Sequence, residues 1–148
     1  MVFDLDFPVV SKSNHRHTAK SASTHAWRRT KAFEHALTML ARTNLPTSWP
    51  PLAPDLPVSQ RPTVGLVIVA STMLDAANLP KSVCDALEGV CYANDASARA
   101  VSVLTLRSQT PRATIAVAAY APDTDLSALA ASQGDLQLLA LERFQAAD

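Results

Sequence analysis

The sequence predicts an α+β domain: a small mixed β-sheet with flanking helices. Three observations carry this. The run TVGLVIVAS at 63–71 is continuous, apolar and β-rich, as in a strand buried on both faces. Helical periodicity lies on either side of it, and two further β-rich runs precede a Leu/Ala-rich tail. A chain of 148 residues suits one domain with one core. Its 48 % apolar and 18 % charged residues exclude wholesale disorder, and the longest apolar run, 64–70, is too short to cross a bilayer. The N-terminus carries Asp4 and Asp6 rather than a basic stretch followed by an apolar one, so a cytoplasmic protein is expected.

Val2 to Val10 alternates Phe3, Leu5 and Phe7 with Asp4 and Asp6, the pattern of a half-buried strand ending near Pro8. The polar run SKSNHRHTAKSAST at 11–24 has no apolar period and reads as a mobile basic loop. A helix is predicted from about Thr24, its N-cap, to Ala41, with Trp27, Phe33, Leu37 and Leu40 inward and Trp27 and Phe33 assigned to the core. Six prolines between 44 and 62 then exclude helix interior and central strand and imply a stiff connection.

After the 63–71 strand, Leu79, Val83 and Leu87 recur every four residues, Pro80 suits a first helical turn, and Gly89 suits a stop. Ala100–Arg107 and Ala113–Tyr120 read as an antiparallel hairpin turning through 108–112 around Pro111. The C-terminal helical segment, 122–148, has Gly134 in its middle and reads as two short helices or one broken at the glycine.

Net charge is zero but unevenly divided: residues 1–43 carry seven Lys/Arg and three acids, residues 44–148 six and ten. The first third is therefore the candidate anion-binding surface. Lys12, Asn14, Arg16 and Lys20 in the loop are candidate DNA-binding residues, the cations for phosphates; Arg28, Arg29 and Lys31 either extend that surface or form the exposed side of a helix. His15, His17, His25 and His35 lack the Cys/His spacing of a metal site, and Cys84 and Cys91 fit neither a zinc knuckle nor a redox pair, so both thiols are expected buried.

The densest chemistry is LDAANLPKSVCDALEGVCYANDAS at 74–97. Asp75 follows a buried strand and Asp95 precedes the next one. Turns folding back at both ends of the short helix would bring the two carboxylates together as hard oxygen ligands for Mg²⁺, with Lys81 placed to steady a phosphate. Plainer roles exist for each: Asp75 and Asn78 as helix caps, Lys81 and Asp85 as an i, i+4 ion pair, and Asp95 as a turn residue.

The pattern D-x-x-N-x-x-K-x-x-x-D-A-L-x-G-V-x-Y-x-x-D, from Asp75 through Asn78, Lys81, Asp85, Ala86, Leu87, Gly89, Val90 and Tyr92 to Asp95, resembles the core of the RusA-type Holliday-junction endonucleases. The opening FDLDFPVVSKSNHRH is similar to that family's N-terminal strand and loop, so the resemblance covers roughly residues 2–120. It implies a single RusA-like domain over 1–148 and a homodimeric Mg²⁺-dependent endonuclease, with Mn²⁺ as a substitute, that cuts four-way DNA junctions in recombination and repair. It further implies Asp75, Lys81 and Asp95 as catalytic residues, with Asp75 and Asp95 holding the metal. Two positions depart from the pattern: Ala77 stands where the family has a second aspartate, and Asn94 where it has the first of an acidic pair. Alanine cannot ligate a cation, so the alternative is a catalytically impaired fold that binds branched DNA or a protein partner without cleaving.

Overall fold

A computed structural model describes residues 1–10, 20–71, 79–106 and 110–147, with only the backbone for 20–26. The elements run β1 (Val2–Leu5), α1 (Lys20–Asn44), β2 (Thr63–Ser71), α2 (Pro80–Leu87), β3 (Ala98–Leu106), β4 (Arg112–Tyr120) and α3 (Leu126–Ala146). Single 3-10 turns lie at Val58–Gln60 and Asp95–Ser97. The strands form one mixed sheet in the order β1-β4-β2-β3. β2 pairs parallel with β3 and antiparallel with β4, which pairs antiparallel with β1. This is the α+β class with helices flanking a small mixed sheet.

β2 is where the sequence placed it, buried along its whole length. Its alternate residues feed two cores. Val64, Leu66, Ile68 and Ala70 pack with Phe33 and Leu37 of α1 and with Val83 and Leu87 of α2. Val67 and Val69 pack on the other face with Leu136, Ala140 and Phe144 of α3. A strand with cover on both faces needs an unbroken apolar run, which TVGLVIVAS supplies.

The expected hairpin between the third and fourth strands does not form. β3 and β4 lie on opposite sides of β2 and each pairs with it. A buried central strand must satisfy backbone groups on both edges, and these two strands fill both. The five residues between Leu106 and Arg112 need to cross only two strand spacings, about 10 Å, well within their extended reach of about 17 Å.

α1 is longer than predicted at both ends, and Thr24 lies inside it rather than capping it. At its C-terminus Thr43 Oγ1 donates to the Met39 carbonyl at 2.9 Å and Asn44 Nδ2 to the Leu40 carbonyl at 2.8 Å, satisfying last-turn acceptors before Pro46 ends the helix. Its buried side is Thr30, Phe33, Glu34, Leu37 and Ala41. Trp27, expected in the core, is 61 % exposed; among the described side chains of α1 the first buried one is Thr30. Past Asn44, the end of α1, the Pro-rich connection holds no strand or α-helix up to Thr63; Trp49 Nε1 ties it to the Cys91 carbonyl at 2.9 Å.

α3 is one continuous helix, not two and not broken at Gly134. Asp125 caps it, accepting from Ala128 N at 2.8 Å. A mid-helix glycine costs about 1 kcal/mol, whereas burying side chains such as Leu136 and Phe144 contributes about 1.5–3 kcal/mol each, so packing on the sheet wins. Both cysteines are free, Cys91 buried and Cys84 half-buried. Among the described residues no helix is long and apolar enough to cross a membrane.

Candidate active site

α2 forms where Leu79, Val83, Ala86 and Leu87 can turn into the core, with Pro80 fixing the first turn. Its exit reverses sharply. Glu88 N donates to the Cys84 carbonyl at 2.9 Å, Cys91 N to the Leu87 carbonyl at 2.8 Å, and Gly89 N to the Tyr92 carbonyl at 2.8 Å. Gly89 takes φ +72°, open to glycine at low cost. Tyr92, 2 % exposed, locks the reversal by donating its hydroxyl to the Cys84 carbonyl at 2.7 Å. The chain then passes through the Asp95–Ser97 turn into β3.

That reversal carries Asp95 back beside α2. Asp85, Glu88 and Asp95 each offer a carboxylate oxygen, and the three oxygens lie within 4.8 Å of one another. Oxygens on opposite sides of a Mg²⁺ ion stand about 4.2 Å apart, so modest side-chain adjustment would let the three share one cation. Lys81 Nζ stands 3.8 Å from Asp85 Oδ1, with the lysine side chain 67 % exposed and the aspartate 24 %. At that exposure the ion pair adds little stability, and the ammonium remains accessible to an anionic ligand. Next in the chain, Asn94 Oδ1 and Ser97 Oγ are buried and make no hydrogen bond among the described residues.

Burial raises the Cys84 thiol above its ordinary value, and the Asp95 and Asp85 carboxylates push the same way. Burial also raises the Tyr92 phenol, helped by Cys84 and by the charges of Asp95 and Glu88. Cys91 is pushed up to about 12 by burial. All three groups therefore stay neutral at physiological pH.

The sequence-predicted residues divide unevenly. Asp95 and Lys81 both lie at this corner. Asp75, with Ala77 and Asn78, lies outside the described residues, as do Lys12, Asn14 and Arg16 and the whole 11–19 part of the basic loop; Lys20 opens α1 but its side chain is not described. Asp85, first read as one half of an ion pair, is also a potential ligand, and Glu88 was missed altogether. The signal for Glu88 was its i, i+3 spacing from Asp85, which stacks the two acids one turn apart at the end of α2.

The profile of the endodeoxyribonuclease RusA family matches residues 6–118, from β1's exit into β4. The chain belongs to the RusA endodeoxyribonuclease family. That family comprises divalent-metal-dependent nucleases that bind branched DNA junctions. α3 begins beyond the matched span. No curated protein matches the chain.

Proposed function

We propose that this protein is a Mg²⁺-dependent, structure-selective DNA endonuclease that resolves four-way junctions in recombination and repair, working as a homodimer. The observation that carries the reading is family membership across 6–118, supported by the return of Asp95 to the polar end of α2. Asp75 and Asp95 hold the metal and, with Lys81, are the catalytic residues; Asp85 and Glu88 add oxygen donors beside Asp95. Bound there, Mg²⁺ or Mn²⁺ supplies Lewis-acid polarisation of phosphate and a lowered water pKa. The carboxylates orient the site by accepting from hydrating water, and the exposed Lys81 ammonium donates to a phosphate oxygen as negative charge grows on it. Lys12, Asn14, Arg16 and Lys20 contact the DNA backbone, and their cationic members make affinity fall with salt. The functional unit is the single domain over 1–148, acting in the cytoplasm.

Ala77 favours a second reading, a descendant that binds branched DNA or a protein partner without cleaving it. Both readings meet in one experiment: a synthetic four-way junction incubated with Mg²⁺ or Mn²⁺ and the wild-type, Asp95→Asn or Ala77→Asp protein. Paired symmetric nicks that vanish in Asp95→Asn support the nuclease. Binding without nicks, with nicks gained by Ala77→Asp, supports the second reading, and neither binding nor nicking overturns the nuclease reading.

A further inference from the structure

α1 and α2 lie side by side and run in the same sense. Thr38 Oγ1 of α1 donates to the Ala86 carbonyl of α2 at 2.7 Å. Earlier in each helix, the residues leading out of β1 meet both: Phe7 packs edge-on to Phe33 at 6.1 Å, and Ser82 donates to the Val10 carbonyl. Past both helix ends, Trp49 Nε1 meets the Cys91 carbonyl at 2.9 Å. From Ala86, α2 reaches back only to Pro80, about 9 Å, whereas Trp27 of α1 stands about 16 Å before Thr38. That interval is close to three whole turns, so Trp27 leaves α1 in the direction of Thr38, on the side that meets α2 but past the Lys81 end of that helix. There it is 61 % exposed.

The same flank carries cations. At about 100° per residue, Lys31, Arg42, His35 and Arg28 fall within about 80° of Thr38, turned away from the buried residues, and all four are exposed. Glu34, the one acid of α1, is 8 % exposed and bonded to Lys31 at 2.7 Å. Arg28 and Arg42 make no ion pair among the described residues. They stand about 21 Å apart, a length over which one DNA strand presents several phosphates. A cationic flank ending in an exposed indole matches the two chemistries that hold unpaired nucleotides: phosphate pairing along a strand and stacking of a base on an aromatic face. A continuous duplex offers the first alone, because its bases are stacked on each other.

We propose that Trp27 is the stacking platform for an unpaired base of DNA whose backbone follows Arg28, His35 and Arg42, so that α1 selects strands opened at a branch point over continuous duplex. This rests on the reading above that the ligand is branched DNA, and it assigns the element and the side chain that recognise the branch. Trp27 binds and positions the strand and takes no part in hydrolysis.

The test is binding by the full-length chain in EDTA, without cleavage, to oligo(dT), to a four-way junction and to a linear duplex with the sequence of its arms. Anisotropy gives the affinities and tryptophan emission reports stacking. The chain has two tryptophans, and Trp49 is bonded to the Cys91 carbonyl, so quenching that disappears in Trp27→Leu belongs to Trp27. Oligo(dT) and the junction are expected to quench the wild type. Trp27→Leu is expected to abolish the quenching, to weaken oligo(dT) about tenfold and the junction several-fold, and to change duplex affinity less than twofold, with an unchanged melt. Trp27→Phe is expected to keep most of the affinity. Arg28→Gln combined with Arg42→Gln is expected to weaken all three DNAs and flatten the salt dependence. No quenching, a Trp27→Leu loss that is absent or equal on all three DNAs, a Trp27→Leu protein that melts well below wild type, or an arginine double variant that binds as the wild type does would each overturn the proposal. Junction cutting without quenching overturns this proposal alone, and quenching with selective binding but no cutting overturns the nuclease reading alone.

Discussion

The Arg112 guanidinium lies 4.2 Å from the centre of the Phe144 ring, joining the first residue of β4 to the last turns of α3. Phe144 is 3 % exposed and belongs to the core between α3 and the sheet. The contact therefore combines a desolvated cation over a ring with apolar burial. Phe144→Ala is expected to destabilise the protein by about 3–5 kcal/mol, and Phe144→Leu by clearly less. Urea denaturation of the two variants checks this, and equal losses would assign the stability to some other contact.

At the acidic corner, removing a donor is expected to affect metal and catalysis but not folding. Lys81 and Glu88 are exposed, so Lys81→Met and Glu88→Gln should melt within a degree or two of wild type. Lys81→Met is expected to lower the nicking rate by about 10²–10³, as for loss of a charge-stabilising donor. Glu88→Gln is expected to weaken Mn²⁺ binding in calorimetry, and EDTA to abolish nicking. Loss of activity accompanied by loss of fold would contradict this assignment.

The alkaline limb of stability should report Cys91 together with Cys84 and Tyr92, whose pKa values burial also raises. Burial raises the Cys91 thiol from 9.0 to about 12 in the folded chain. Between those values the unfolded chain gives up its proton while the folded chain keeps it, so unfolding becomes easier as pH rises. Stability is therefore expected to be intact below pH 9 and to decline toward pH 12, with Cys91→Ala flattening the decline. Guanidinium melts at stepped alkaline pH measure it, and an identical slope in the variant would assign the titration elsewhere.

Gly65 is required by close approach. A Cβ there would meet the Gln133 side chain and lie 2.9 Å from Tyr120 Cε2. Gln133 is itself engaged, donating through Nε2 to the Leu66 carbonyl at 2.9 Å and to Ser102 Oγ at 3.1 Å. Gly65→Ala is expected to cost about 1–3 kcal/mol by forcing α3 away from β2, seen as a lower melting temperature. An unchanged melt would show that Gln133 can give way.

Local signals read well from the sequence where a single element fixes its own boundaries. β2 follows its apolar run residue for residue, and α2 is bracketed by Pro80 and Gly89 as its spacing predicted. What failed depended on partners. β3 and β4 carry hairpin-like sequences, yet β2 separates them because its two edges need filling, which no short-range pattern records. Trp27 has the right phase for the core but is exposed, and Gly134 signals a break that packing of Leu136 and Phe144 overrides. At the candidate site, Asp95 and Lys81 were named from spacing and resemblance and lie at one corner, whereas Glu88 comes beside Asp95 only because the chain doubles back after Gly89.

That doubling back has an entropic consequence. The Tyr92 hydroxyl on the Cys84 carbonyl and the Gly89–Tyr92 backbone bond close the loop within neutral, buried atoms, away from the carboxylates themselves. The ordering of Asp95 against α2 is thus completed when the chain folds, so a cation arriving later meets ligands whose backbone freedom is already gone. None of these bonds is made by a carboxylate of Asp85, Glu88 or Asp95, so the turn that presents the three acids is held by other atoms.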